Sequence, residues 1–182
     1  MRLSALVAAA LALAACSDPN DLSDAQIPNV VDTATIAALT GTPIAQASAF
    51  SVAAGQPIRT DLSIDFDFAF DMNEAGSVLL PRAALQINEG AGLQPGLALS
   101  EEQFGAIDEA PLEGFLTRDT IAIAVGQVYA ARSRVVCGGL GVPLYGKLRI
   151  LALDPGARTV TFEFLVNENC GYVGLEPGIP ER

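Results

Sequence analysis

The chain has 182 residues, 51% of them hydrophobic and only 17% charged, with 21 acids against 10 basic residues and a formal charge of −11. Such a composition excludes a disordered chain and describes one domain of ordinary size with room for a real core. The acidic balance argues against nucleic acid as a partner and against an electrostatic grip on anionic headgroups. The absence of histidine excludes Ser-His-Asp and Cys-His catalysis together with every imidazole metal site.

Met1-Arg2 and the apolar run at residues 3–15 have the plan of an export signal: one basic residue, a hydrophobic segment too short to span a bilayer, and small residues before a cut. The run ends in Leu13-Ala14-Ala15-Cys16, which resembles the lipobox of bacterial lipoproteins. That resemblance implies a signal peptide of residues 1–15, diacylation of Cys16 through sulfur and acylation of its new N-terminus. With Ser17 in place of Asp after the cysteine, it also implies sorting to the outer membrane. The alternative is an ordinary signal peptide with an incidental cysteine. Three acyl chains exceed what stable anchoring requires, so the membrane is the first expected partner. Residues 16–28 are then the lipidated N-terminus and a polar, turn-rich tether of about 20 Å reach. Residues 29–182 form a single β-rich domain.

Residues 29–39 and 44–53 are rich in Val, Ile, Thr and Ala and are broken by Gly41-Thr42-Pro43 and Gly55-Gln56-Pro57, so they predict strands. Residues 64–72 alternate strictly, with Phe66, Phe68, Phe70 and Met72 on one face and Asp65, Asp67, Ala69 and Asp71 on the other. A turn at Asn73-Glu74-Ala75-Gly76 leads into a hairpin with residues 77–80, and Pro81 ends that strand or places it at an edge. Residues 86–99, rich in Gly, Asn and Gln, read as a loop. Ser100-Glu101-Glu102-Gln103 matches a capping box ahead of one short helix whose apolar side is Phe104 and Ile107. Residues 120–125 predict a further alternating strand. If Gly126-Gln127 made a two-residue hairpin turn, Ile123 would share a face with Arg132; either a bulge corrects this or both faces are covered.

From Tyr129 to Cys137, one parity carries Tyr129, Ala131, Ser133, Val135 and Cys137, and the other carries Ala130, Arg132, Arg134 and Val136. That reads as a half-buried strand. After a loop at 138–144, residues 145–153 set Leu148, Ile150 and Ala152 against Lys147 and Arg149. Asp154-Pro155-Gly156 reverses the chain. Residues 159–166 then place Val160, Phe162, Phe164 and Val166 opposite Thr159, Thr161 and Glu163. Parity turns both Cys137 and Cys170 inward, which predicts a disulfide between them in an oxidising compartment; two free buried thiols are the alternative. The tail at 171–182 should run irregularly along the surface. In sum there are about eight or nine short strands, one short helix and no βαβ rhythm, which predicts a mainly β, antiparallel sandwich or open barrel. The progression from Gly126-Gln127-Val128-Tyr129 through residues 147–151 to Thr159-Val160-Thr161-Phe162 resembles uncharacterised exported β-rich bacterial proteins, a resemblance that implies no activity.

No cofactor is expected. The sharpest acidic cluster is Asp65, Asp67 and Asp71 with Glu74 nearby. It is a calcium candidate only in outline, since Ala75 and Arg82 stand where an EF-hand loop needs ligands; a solvated outer sheet face is the plainer reading. As a glycosidase pair these acids lack any feature that would keep one of them protonated. Sugar modules rely on exposed aromatics, and only Tyr145 and Tyr172 offer themselves, more readily as rings packed at strand ends. Arg132, Arg134, Lys147 and Arg149 gather on two neighbouring strands, as either an anion-binding site or a set of ion pairs. Glu163 supplies one partner, and ion pairing is favoured. The expected function is a non-enzymatic structural or binding module, with an envelope protein or an anionic glycan as its partner. The alternatives are a carboxylate-dependent hydrolase of cell-envelope glycans and an accessory subunit of an envelope complex.

Overall fold

The computed structural model describes residues 22–74, 76–87 and 92–181; the expected leader and Cys16 lie outside the described residues. Ten strands follow one another: β1 Val31–Ala37, β2 Ala49–Ser51, β3 Gln56–Ile58, β4 Phe68–Asn73, β5 Gly76–Pro81, β6 Gly96–Ser100, β7 Ile121–Ala122, β8 Val128–Cys137, β9 Val142–Asp154 and β10 Thr159–Asn167. They form two antiparallel five-stranded sheets, ordered β1-β10-β9-β8-β6 and β3-β2-β4-β5-β7. Neither sheet closes on itself, so of the two predicted architectures the β-sandwich is the one formed.

The core follows from alternation. Val160, Phe162, Phe164 and Val166 of β10 point at the facing sheet and meet Phe50, Phe68 and Phe70. The Phe50 ring stacks on Phe68 at 5.5 Å and takes the edges of Phe162 and Phe164 at 5.2 and 4.8 Å. Each such aromatic pair adds about 0.5–1.5 kcal/mol to the area it buries. A bulge between Thr161 and Phe162 skips Leu151, so Leu153 packs towards the core while Ala152, expected there, is exposed.

The first sheet is covered on its other face as well. Phe104, Ile107 and Ala110, with Leu175 of the tail, bury Val128 and Leu165 in a second apolar layer. The half-buried alternation expected for β8 is therefore corrected: Val128 through Ser133 are buried on both sides. The tail is irregular but not superficial, because Tyr172 and Leu175 are buried and Glu109 bridges Gly174.

Several expected elements are shorter or different. Within 44–53 only Ala49–Ser51 is strand, and within 64–72 the strand starts at Phe68. The expected loop at 86–99 contains the start of β6, whose outer edge is closed by Leu116 exchanging backbone hydrogen bonds with Leu97 at 3.1 and 2.9 Å. The capping box does not form: Ser100 ends β6, its hydroxyl accepts the Glu102 N–H, and the predicted helix is a single 3-10 turn, Phe104–Ala106. Phe104 and Ile107 are nevertheless buried, as expected.

No hairpin joins β7 to β8. Gly126, at φ +89°, turns a corner from one sheet to the other while its N–H donates to Ile150 O and Gln127 O accepts the Ile150 N–H. The conflict of parity disappears, because Ile121 and Ile123 approach the core from one sheet and Tyr129 from the other.

Cys137 and Cys170 are joined, with Cα atoms 5.7 Å apart. Only Cys137 is buried; β10 ends at Asn167, so its parity does not reach Cys170, which is exposed. The tether is also shorter than expected, for residues 23–29 lie strapped to the body. Gln26 and Ile27 N–H donate to Asn169 Oδ1 at 3.0 Å each, and Asn169 Nδ2 donates to Ile27 O at 2.8 Å. Tyr172 Oη accepts from Ala25 N–H and donates to Ser23 O, both at 3.1 Å.

Candidate functional site: the charged sheet face and the strap groove

The register of β8 on β9 sets Ala130 beside Lys147 and Val128 beside Arg149, and that of β9 on β10 sets Arg149 beside Glu163. These neighbours explain where the four expected cations go. Lys147 is only 2% exposed; its Nζ donates to Ile107 O at 2.8 Å and lies 5.0 Å from the centre of the Phe104 ring. Burial pushes the Lys147 ammonium below the ordinary lysine range, and Asp108, Glu176 and Glu163 draw it part of the way back. Arg132 donates from Nε and Nη2 to Gln94 O at 3.0 and 2.8 Å and stacks 4.5 Å over Phe115. Burial lowers its pKa too, opposed by Tyr145.

The other two cations are ion-paired. Arg149 meets Glu163, the partner expected from parity. Arg134 reaches Asp65 at 3.5 Å and Asp67 at 3.7 Å across the gap between the sheets. The four do not stand together as an open anion site. Two bind acids, as the ion-pair reading expects; Arg132 and Lys147 instead fasten the segments that cover the sheet, by gripping a main-chain carbonyl and an aromatic ring from each.

The acids separate in the same way. Asp67, expected on a wet face, is 1% exposed. Its Oδ2 accepts Val52 N–H at 2.7 Å and Ala53 N–H at 3.3 Å, and its Oδ1 accepts Arg134 N–H at 2.7 Å, so one carboxylate links the end of β2 to β8 of the opposite sheet. Burial pushes this carboxyl above its ordinary value, against the pull of Arg134 and the amides. Asp65 has its side chain 78% exposed. Asp71 accepts from the Thr40 N–H and hydroxyl at 3.1 and 2.7 Å. The calcium candidate is thus split, with Asp65 and Asp67 turned to Arg134 and Asp71 to Thr40, and among the described residues no three acids or cysteines gather around one point.

Of the two tyrosines, Tyr172 is buried with its hydroxyl engaged in the strap, and Tyr145 is half-buried with its ring 6.2 Å from Phe115. A feature not anticipated from the sequence lies beside Tyr172. The strap, the β8–β9 turn and the disulfide enclose an open groove of about 430 Å³, lined by Leu22, Asp24, Ile27, Leu140, Glu168 and Cys170 among others. The pattern that could have pointed to it is the set of isolated aliphatics in polar or glycine-rich surroundings: Leu22 and Ile27 in the supposed tether, Leu140 in Gly138-Gly139-Leu140-Gly141. Compared with protein-family models, curated proteins and solved structures, the chain matches none.

Proposed function

We propose that this protein is a lipoprotein of the outer membrane whose β-sandwich is a non-enzymatic binding or structural module held close to the lipid surface. The lipobox Leu13-Ala14-Ala15-Cys16 supplies the anchor in this reading. The observation that carries the rest is the strap: the body is hydrogen-bonded to its own chain from Ser23 onward, so a tether ending at Pro28 is cut to a handful of residues. A module so placed serves partners at the membrane face, whether an envelope protein, for which it would be an accessory subunit, or an anionic glycan.

A carboxylate-dependent hydrolase of envelope glycans is the competing reading. It requires a carboxyl kept protonated in an open cleft. Asp67 has the raised pKa such a role needs, but it is sealed from solvent by the amides of Val52, Ala53 and Arg134, which favours a structural task. The test is capture of the native lipoprotein from detergent-solubilised envelope, alongside incubation of the purified protein with isolated envelope glycan. Recovery of a stoichiometric partner with no release of reducing ends is the expected outcome. Reducing ends released by wild type and lost in Asp67→Asn would overturn the binding-module reading.

A further inference from the structure

At the end of the sandwich where the strap begins, the β8–β9 turn is almost bare. Positions 138, 139 and 141 are glycines where a Cβ would meet nothing within 4 Å apart from the glycine itself and its chain neighbours, and Leu140 is the one side chain beyond Cβ that the turn presents. The turn is closed by Cys137 O, which accepts Leu140 N–H at 2.9 Å and Gly141 N–H at 2.8 Å. Leu140 is 51% exposed and Ile27 44% exposed, and with Leu22 they line one groove. A lone exposed leucine is ordinary. Here three aliphatics converge where the described chain begins, at residue 22.

We propose that this tip is a second, non-covalent contact with the lipid surface: Leu140 enters the interfacial layer of a phospholipid bilayer, with Ile27 and Leu22 at its boundary. The proposal rests on the reading of Cys16 as the lipid-bearing residue. Covalent geometry then holds Leu22 within about 20 Å of the bilayer, since six residues span at most about 3.5 Å each. The opposite end of the sandwich, at Asp154-Pro155-Gly156, lies beyond the 13 residues of β9, about 40 Å away at the rise of a strand. The tip is therefore the end that the anchor brings to the membrane. Asp24 and Glu168 beside the groove oppose anionic headgroups, so the lipid class that suits it is zwitterionic.

The chain has no tryptophan, so Leu140→Trp and the distant control Ala157→Trp each carry a single indole. Both lipoproteins, purified with their native N-termini, are placed in phosphatidylcholine vesicles with or without brominated acyl chains and then floated on a density gradient. The expected result is flotation of both, loss of most indole emission to bromide in Leu140→Trp and none in Ala157→Trp. Flotation with the Leu140→Trp indole unquenched overturns the tip contact and leaves the anchor standing; a blue-shifted but unquenched indole overturns it in favour of a second copy of this chain covering the tip. Failure of both to float overturns the anchor, and the tip contact with it. Amide hydrogen exchange on the unsubstituted lipoprotein in the same vesicles guards against a misfolded variant: residues 138–141 should exchange more slowly than in Cys16→Ser, and equal rates would again overturn the contact.

Discussion

Asp67 is the residue on which the joining of the two sheets depends most locally. Three backbone amides and the Arg134 guanidinium converge on its two oxygens. Asp67→Asn puts an amide group where an acceptor is needed, and a buried donor left without its partner costs about 1–3 kcal/mol. Urea unfolding at neutral pH should show a loss of about that size. The pH dependence has a definite sign. Because burial raises the folded-state pKa above the unfolded value, this carboxyl contributes stability that is full below about pH 3.9, the unfolded value, and is lost as pH rises through the folded value. Wild type should thus gain on Asp67→Asn as the solution is acidified through that window, and a difference that shrinks on acidification would refute the assignment. Among the cations the contrast is between Lys147 and Arg149. Lys147→Ala leaves the buried Ile107 carbonyl unpaired and removes a stem packed against Phe104, at a cost of about 2–3 kcal/mol. Arg149→Gln breaks a partly exposed pair and should cost about 0–1 kcal/mol. Parity placed all four cations on one face, but it could not show that the segment after β6, from Phe104 to Phe115, folds back over that face. Sequence spacing records which way a side chain points, not what later lies on top of it.

Among the elements, β10 was the most legible because Val160, Phe162, Phe164 and Val166 alternate with Thr159, Thr161 and Glu163, whereas the shift in its pairing with β9 between Thr161 and Phe162 left no mark in its own sequence. β6 was not legible, since Gly96-Leu97-Ala98-Leu99-Ser100 carries no β-branched residue and is a strand only because β8 on one side and Leu116 on the other supply its hydrogen bonds. Gly126 misled for a related reason: a glycine with positive φ serves a hairpin turn and a corner between sheets equally well. The disulfide was read correctly, and its structural role goes beyond closing a loop. Cys170 adjoins Asn169, whose side chain makes three hydrogen bonds to the strap. Cys137→Ser with Cys170→Ser should lower stability by about 3–4 kcal/mol on the chain-entropy account. It should also speed amide exchange at Ala25, Gln26 and Ile27 more than elsewhere. Asn169→Ala should reproduce the exchange at Gln26 and Ile27 with a smaller loss of stability, and protected strap amides in both variants would show that the strap is held by something else.

For the molecule as a whole, the sandwich was legible in counts of short strands and turns, whereas the sheet order was not, because pairing between β1 and β10 or β6 and β8 is decided by contacts far apart in sequence. The groove escaped notice for the same reason: Leu22, Leu140 and Cys170 meet only in three dimensions. The strap changes what an anchor would mean for this protein. A body swinging on a long tether samples any partner within reach, while one bound to its own N-terminal segment is held with one end at the lipid. All of this turns on Cys16, and the direct measurement is metabolic labelling with a radioactive fatty acid in cells producing wild type or Cys16→Ser, followed by separation of membrane and soluble fractions. Label on the membrane-bound wild type, with an unlabelled and soluble Cys16→Ser, is the predicted result; a wild type that takes up no label would contradict the anchor.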